Sequence, residues 1–415
     1  MKRKILIVED SLTVRRMLTQ AIAQQTGLEI DAFDTLEGAR DCQGEEYVVA
    51  LVDLTLPDAP SGEAVNVLLE RGLPVVILTA DISEEKREAW LEAGVLDYVM
   101  KDSRHSLQYA VSLVHRLYLN QAIEVLVVDD SLTSRHRTAA QLRKQLLLVH
   151  EATCARDALA LLEQHPAIRL MLVDYYMPEI DGISLVRMLR ERYSKQQLAI
   201  IGISVSDKRG LSARYLKQGA NDFLNQPFEP EELQCRVSHN LEALEQFNSI
   251  QESANRDYLT GLYNRRYWFN EGQKWFEDHQ RQETPLALCV LDVDHFKQVN
   301  DHWGHAIGDQ LLCHLTRLLT QFFPDAMIAR FGGEEFALMV PHCTVPVLLK
   351  RLEGLRQQLR QQPLSREIPL FARASFGVIK VGRVSMDEAL SEADRLLYQA
   401  KNTGRDKIVS QDSSA

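Results

Sequence analysis

Short apolar runs alternate with segments of helical period through the first 240 residues, a pattern that predicts parallel α/β sheets. In a first unit, ILIV (5–8), VALVD (49–53), PVVILT (74–79) and DYVM (97–100) read as buried strands. A second set answers it: VLVV (125–128), LMLVD (170–174), AIIGIS (199–204) and NDFLN (221–225). Each set puts acidic, hydroxyl or amide residues at strand carboxyl ends, where open α/β sheets hold their ligands. Whole domains are repeated here, rather than a short solenoid unit. Even the phrase VEDSLT (8–13) returns as VDDSLT (128–133).

Residues 229–256 contain no glycine, and Leu233, Val237, Leu241, Leu244, Phe247 and Ile250 recur at steps of three and four. This stripe predicts one long helix, packed on its own domain or pairing with its copy in a dimer. Because the segment continues past the second unit, a linker that pairs between chains is the preferred reading. From residue 257 the order changes. A strand (286–294), a long helix, a hairpin around FGGEE (331–335), a helix (345–361), a strand (371–381) and a final helix (386–402) are expected. The fold class is therefore multidomain α/β: two doubly wound parallel-sheet units, at 1–120 and 122–240, then a separate α/β domain at 257–410.

The bulk numbers narrow the partners. Forty-seven Lys and Arg face 58 Asp and Glu, a net charge of −11, which argues against broad nucleic-acid affinity. Six scattered cysteines form no CxxC pair and fit a reducing compartment. The apolar run in MKRKILIVED is too short for a signal peptide, and no stretch approaches the ~20 residues of a membrane helix. A cytoplasmic protein without direct membrane insertion is expected.

In the first unit Glu9 and Asp10 follow the first strand, Asp53 and Thr79 end later ones, and Lys101 follows the strand containing Tyr98. Adjacent carboxylates supply the oxygens that Mg²⁺ prefers. A third carboxylate beside such an ion is suited to attack a phosphoryl donor and form an aspartyl phosphate. A hydroxyl and an ammonium then hold the new phosphoryl oxygens. The second unit repeats Asp129, Asp130, Asp174 and Ser204, but has Gln226 where the lysine would stand.

Both units resemble the receiver domain of two-component response regulators, a flavodoxin-like fold. The resemblance implies Mg²⁺ at Glu9 and Asp10, phosphorylation of Asp53 by a sensor histidine kinase or phosphotransfer protein, and a switch formed by Thr79, Lys101 and Tyr98. In the second unit it implies Mg²⁺ at Asp129 and Asp130, with Asp174 as acceptor and Ser204 as switch hydroxyl. Asp102 replaces the usual proline, and the loop LTLPDAPSG is one residue longer than usual. Gln226 lacks the charge of the lysine, so an adaptor role is preferred over a second active receiver.

In the last domain Gly332 and Gly333 permit a tight turn immediately before Glu334 and Glu335. LDVDHFKQVND offers Asp292 and Asp294, then Lys297 and Asn300; GHAIGD adds His305 and Asp309; KNTGR adds Lys401 and Arg405. Carboxylates from two strands suit Mg²⁺ on a triphosphate, and Asn with Asp suits the donor and acceptor edge of guanine. These motifs, in this order, resemble the GGDEF diguanylate cyclases, with a nucleotide-cyclase, palm-like fold. The resemblance implies metal ligands Asp292, Glu334 and the Val293 carbonyl, with Glu334 also as general base and Glu335 in support. It implies Asn300 and Asp309 on guanine, His305 near the nucleoside, Lys297 near the phosphates, and Lys401 and Arg405 on the terminal phosphates. The substrate implied is GTP, two molecules giving cyclic di-GMP and two pyrophosphates in a homodimer. The RxxD product site of many cyclases is replaced by Phe323 and Ala326, so inhibition by that route is expected to be absent or weak. The whole arrangement resembles PleD-type response regulators; the alternatives are an inactive nucleotide-sensing domain or a phosphorelay scaffold.

Overall fold

The structure is a computed structural model that describes residues 4–80, 84–205, 210–365 and 367–411. The chain divides into two compact units, residues 1–247 and 248–415.

The first unit contains two parallel five-stranded sheets. One is built from β1 (Lys4–Val8), β2 (Ile30–Phe33), β3 (Tyr47–Asp53), β4 (Val75–Thr79) and β5 (Asp97–Met100), in the order β2-β1-β3-β4-β5. All seven residues of β3, YVVALVD, are buried, because helices cover both faces of the sheet. The second sheet repeats the topology with β6 (Glu124–Val128), β7 (Leu148–Ala152), β8 (Ile168–Asp174), β9 (Ala199–Val205) and β10 (Asp222–Gln226), in the order β7-β6-β8-β9-β10. This is the doubly wound order whose switch point lies between the first and third strands of each unit. The first strand of each sheet ends directly before its acidic pair, and the third strand ends on Asp53 or Asp174. Four strands of each sheet follow the sequence pattern; β2 and β7 are additions to it.

The expected long helix is present as Pro230–Asn255. Its apolar stripe is divided. Leu233, Val237, Leu241 and Leu244 are buried in the core of the second sheet, alongside Leu172 and Leu224. Only Phe247 and Ile250 are left exposed. Most of the stripe is thus a domain-packing face, and only its last turns are left uncovered.

The second unit holds a mixed six-stranded sheet of β11 (Tyr263–Asn264), β12 (Leu286–Val293), β13 (Met327–Gly332), β14 (Glu335–Pro341), β15 (Ala374–Lys380) and β16 (Ile408–Ser410). Its order is β11-β13-β14-β12-β15-β16, and the central β12 runs antiparallel to both neighbours. Helices cover both faces over two apolar clusters. The helix expected after β12 is in fact two, Phe296–Trp303 and His305–Phe322. Gly304, at φ 81° and ψ 160°, takes a conformation that no helix can continue through. A capping box, with Ser385 and Glu388 satisfying each other's backbone, starts the last helix, Met386–Asn402.

Candidate active site and phosphoacceptor pockets

In the first sheet the carboxyl ends of β1 and β3 bring Glu9, Asp10 and Asp53 together, with oxygens within 4.8 Å of one another. Lys101 enters from the end of β5. Its Nζ lies 2.6 Å from Asp53 Oδ2 and 3.1 Å from Glu9 Oε2. Burial works against the ammonium, but the hydrogen bond it donates to Asp53 and the charges of Glu9 and Asp53 outweigh it, so Lys101 titrates above its ordinary value. Burial likewise raises Glu9, and Lys101 only partly opposes that shift. Thr79 is buried at the end of β4, and the Arg87 guanidinium lies 4.9 Å from the centre of the half-buried Tyr98 ring.

Both departures from the family pattern have local structural roles. Asp58, in the longer loop, accepts hydrogen bonds from the Leu36 and Glu37 amides at 3.0 Å each and so closes the loop onto a helix start. Asp102 accepts from the Ser106 hydroxyl, while Ser103 accepts from the Ser106 amide, capping the helix Arg104–Asn120.

The second pocket has the same carboxylates without the cation. Asp129, Asp130 and Asp174 gather within the same 4.8 Å limit. Gln226 turns aside: its Nε2 donates to Ser134 Oγ at 3.0 Å. Burial first, then the Asp129 charge and more weakly that of Asp130, push Asp174 up to about 6. The fully buried Ser204 hydroxyl has no hydrogen-bond partner among the described residues. Arg15 and Arg135 are a matched pair that the sequence analysis missed: each reaches back to the carbonyl of its acidic pair's first member.

In the second unit, β12 and the β13–β14 hairpin place Asp292 opposite Glu335 in register. Gly332 (φ 144°) and Gly333 (φ 53°) make the turn between them. Arg330 clamps this turn by donating to the Gly333 carbonyl at 2.8 and 2.9 Å and to Asp257 Oδ1 at 2.9 Å. Asp257 opens the segment DYLTG (257–261), which this contact ties to the hairpin. The Val293 amide donates to the Glu334 carbonyl at 3.3 Å, which ties the hairpin to the strand end. Lys401, from the last helix, lies 2.7 Å from Asp292 Oδ2. Burial raises the Asp292 pKa; Lys401 opposes the rise, and Glu334 and Glu335 reinforce it. Asp294 is committed elsewhere, accepting from Ser375 Oγ and the Asp406 amide at 2.8 Å each.

Asn300 is half-buried, and its Oδ1 has no hydrogen-bond partner among the described residues. A Cβ on Gly308 would lie 1.9 Å from that oxygen. This glycine, which the sequence analysis did not single out, gives Asn300 its room. Lys297, His305, Asp309 and Arg405 are exposed. Beside Phe323 and Ala326, Asp325 pairs with an arginine from the helix Val345–Gln361: Arg351 Nη2 lies 2.8 Å away. Phe323 itself is buried and lies under the same guanidinium, 4.6 Å from it.

The donors of the two sheet-end acidic pockets are carboxylate oxygens alone, which fit hard divalent cations. At the hairpin, Lys401 partly neutralises Asp292.

Two phosphoacceptor-type pockets followed by a glycine-turn carboxylate site define a receiver-controlled nucleotide enzyme of the two-component class. Residues 5–111 and 125–238 match the response regulator receiver domain, and residues 254–407 match the diguanylate cyclase, GGDEF domain. Across its length the chain is similar to the response regulator PleD of Caulobacter vibrioides, 26% identical over 454 residues that cover 99% of each. Its last domain is 36% identical over 171 residues to the diguanylate cyclase VdcA of Vibrio cholerae, covering 40% of this chain and 49% of that one. A solved two-component response regulator/GGDEF domain protein is 93% identical, with a TM-score of 0.57, and covers 59% of this chain and 100% of its own. The chain belongs to the response-regulator family, with two receivers and a metal-dependent GGDEF diguanylate cyclase output in the PleD arrangement.

Proposed function

We propose that phosphorylation of Asp53 controls the condensation of two GTP molecules into cyclic di-GMP and two pyrophosphates, by a homodimer in the cytoplasm. The observation that carries this reading is the contrast between the pockets: Lys101 pairs with Asp53 and Glu9, whereas Gln226 turns from Asp174 to Ser134. The first receiver has the full switching set, and the second serves as an adaptor. A sensor histidine kinase or phosphotransfer protein supplies the phosphoryl group. The acidic net charge and the lack of a helix long and apolar enough to cross a membrane, among the described residues, support GTP and protein partners over nucleic acid or lipid.

At the output site, Asn300 Oδ1 is free to accept from a guanine N–H, and Asp309 pairs with the same edge. His305 contacts the nucleoside. Lys297, Lys401 and Arg405 meet phosphate oxygens, and the bare backbone of Gly332 and Gly333 lets the nucleotide lie close. Glu334 takes the proton of the attacking 3′-hydroxyl, and Glu335 supports it. The 3′-oxygen bonds to the α-phosphorus of the facing GTP, and pyrophosphate leaves; repetition in the opposite sense closes the ring. Mg²⁺ bound by Asp292, Glu334 and the Val293 carbonyl would offset charge on the phosphate oxygens. In the receivers, Glu9 and Asp10, or Asp129 and Asp130, would hold the same ion beside the acceptor.

Purified protein incubated with GTP and Mg²⁺, with and without acetyl phosphate, should yield cyclic di-GMP faster with the phosphodonor. Asp53→Asn should abolish the acceleration but keep the basal rate. Acceleration that survives Asp53→Asn and disappears in Asp174→Asn would reverse the roles assigned to the receivers.

A further inference from the structure

At the far end of β6 from Asp129, the second receiver carries a second cluster, unrelated to phosphotransfer. Glu124 begins β6, so about five strand residues, or ~16 Å, separate it from the acidic pocket. His150 lies on β7 in register with Leu126, on the same face as Glu124. His165 directly follows the helix Ala155–Gln164. The nitrogens of both rings approach one carboxylate oxygen: His150 Nε2 lies 2.8 Å and His165 Nδ1 3.4 Å from Glu124 Oε2. The ring centroids are 4.1 Å apart, and one ligand atom from each of the three residues lies within 4.8 Å of the others.

We propose that Glu124, His150 and His165 form a binding site for a borderline divalent transition cation of the zinc class. Two imidazoles and a carboxylate are a donor set that selects such ions over Mg²⁺, which favours oxygen ligands alone. Ligand bonds of about 2.0–2.2 Å at tetrahedral angles separate neighbouring ligand atoms by about 3.3–3.5 Å. The observed separations of 2.8 and 3.4 Å need only a small adjustment to reach that spacing. The side chains are 22–40% exposed, so an ion has a path in and water can fill the fourth position. Two protonated imidazoles this close would repel each other, whereas one cation satisfies both neutral rings and the carboxylate together. The three ligands come from two strands and a helix end. Bound metal would therefore fasten the edge strand β7 and stabilise the folded receiver. The bland alternative is a hydrogen-bonded His–Glu–His triad that binds no ion.

The test uses the full chain with Cys235→Ser, because exposed Cys235 and nearby His239 on one helix are a competing thiol–imidazole pair. Zn²⁺, and Co²⁺ read by its visible absorption, are titrated with Mg²⁺ present to occupy the acidic pockets. One ion per chain should bind more tightly than about 100 µM. His150→Gln and His165→Gln, which keep an amide donor to Glu124, should each weaken binding by more than the ~10–100-fold lost with an outer-shell partner. Zn²⁺ should raise the Tm of the parent and leave that of the double variant unchanged. Asp53 phosphorylation should be the same in both, confirming a folded chain; if the double variant does not fold, Glu124→Gln replaces it. Parent binding weaker than about 100 µM, or variants that bind as tightly as the parent, overturns the proposal.

Discussion

Lys101 and Gln226 end matching strands, and their side chains take opposite directions. Lys101 satisfies two buried carboxylates. Burial, and then the like charges of Asp129 and Asp130, raise the cost of ionising Asp174, and Gln226 offsets neither. An ammonium at position 226 would supply the missing counter-charge. Gln226→Lys should therefore add a second phosphoryl group under acetyl phosphate and Mg²⁺, where the parent takes one, on Asp53. Intact-mass measurement with peptide mapping distinguishes the outcomes, and a parent that already labels Asp174 fully would remove the basis for an adaptor. In the output domain the matching single-residue case is Gly308. An alanine methyl there collides with Asn300 Oδ1, 1.9 Å away, and the Asn300 side chain must leave its position. Gly308→Ala should raise the KM for GTP at least about tenfold, equivalent to about 1.4 kcal/mol, with a smaller change in kcat. An unchanged KM would dissociate Asn300 from guanine recognition.

At the scale of elements, the first receiver meets the long helix through polar contacts within the first unit. Arg116 makes a bidentate pair with Glu245 at 2.8 Å, Arg87 pairs with Glu231, and Gln234 donates to Asp97 at 3.0 Å. Asp97 is buried at the start of β5, and that burial raises its pKa above 3.8 in spite of hydrogen bonds from Tyr98, Gln234 and Tyr109. The folded state thus holds this proton more tightly than the unfolded chain. The resulting stabilisation is complete below the unfolded value and is lost as pH rises through the higher folded value. Asp97→Asn removes the buried charge and keeps the shape. Its Tm should exceed the parent's at pH 7, and the difference should vanish as pH falls toward 3.8. An equal gain at both pH values would trace the effect to packing rather than charge. The elements themselves were unequally legible. β3 and β8 announce themselves as apolar runs because helices cover both faces. IDAF and LVHEA, the edge strands β2 and β7, are partly exposed and mixed in character, so only their pairing with β1 and β6 reveals them. The break at Gly304 was also hidden, since isolated glycines occur inside helices and only its backbone angles mark an end. The proposed reacting groups stood out as motifs, but their supports did not. Arg330 with Asp257, Asp294 with Ser375, and Gln226 with Ser134 are separated by 73, 81 and 92 residues, and only folding joins them.

For the whole molecule, the proposed reaction sets a requirement that no single chain meets: each output domain holds one GTP, and bond formation needs two facing each other. Activity must then follow pairing by mass action. The helix Pro230–Asn255 limits where pairing can occur along its length, because Leu233, Val237, Leu241 and Leu244 are already buried in the second receiver. Phe247 and Ile250, 36% and 67% exposed, are the stripe positions left for another chain. Glutamate at both would set like charges against each other across a two-fold helix pair, while leaving the receiver core and every proposed catalytic residue untouched. Specific activity of the parent should rise with protein concentration to a plateau. The double variant Phe247→Glu/Ile250→Glu should need at least about tenfold more protein to reach half of that plateau, a loss of about 1.4 kcal/mol in association. The plateau itself should change little, since the catalytic groups are intact. Light scattering across the same concentrations supplies the independent measure, and the rise in mass should track the rise in rate. A parent whose specific activity is constant while its mass remains that of a monomer would refute the two-chain site. A variant that pairs and turns over like its parent would move the seam off this helix.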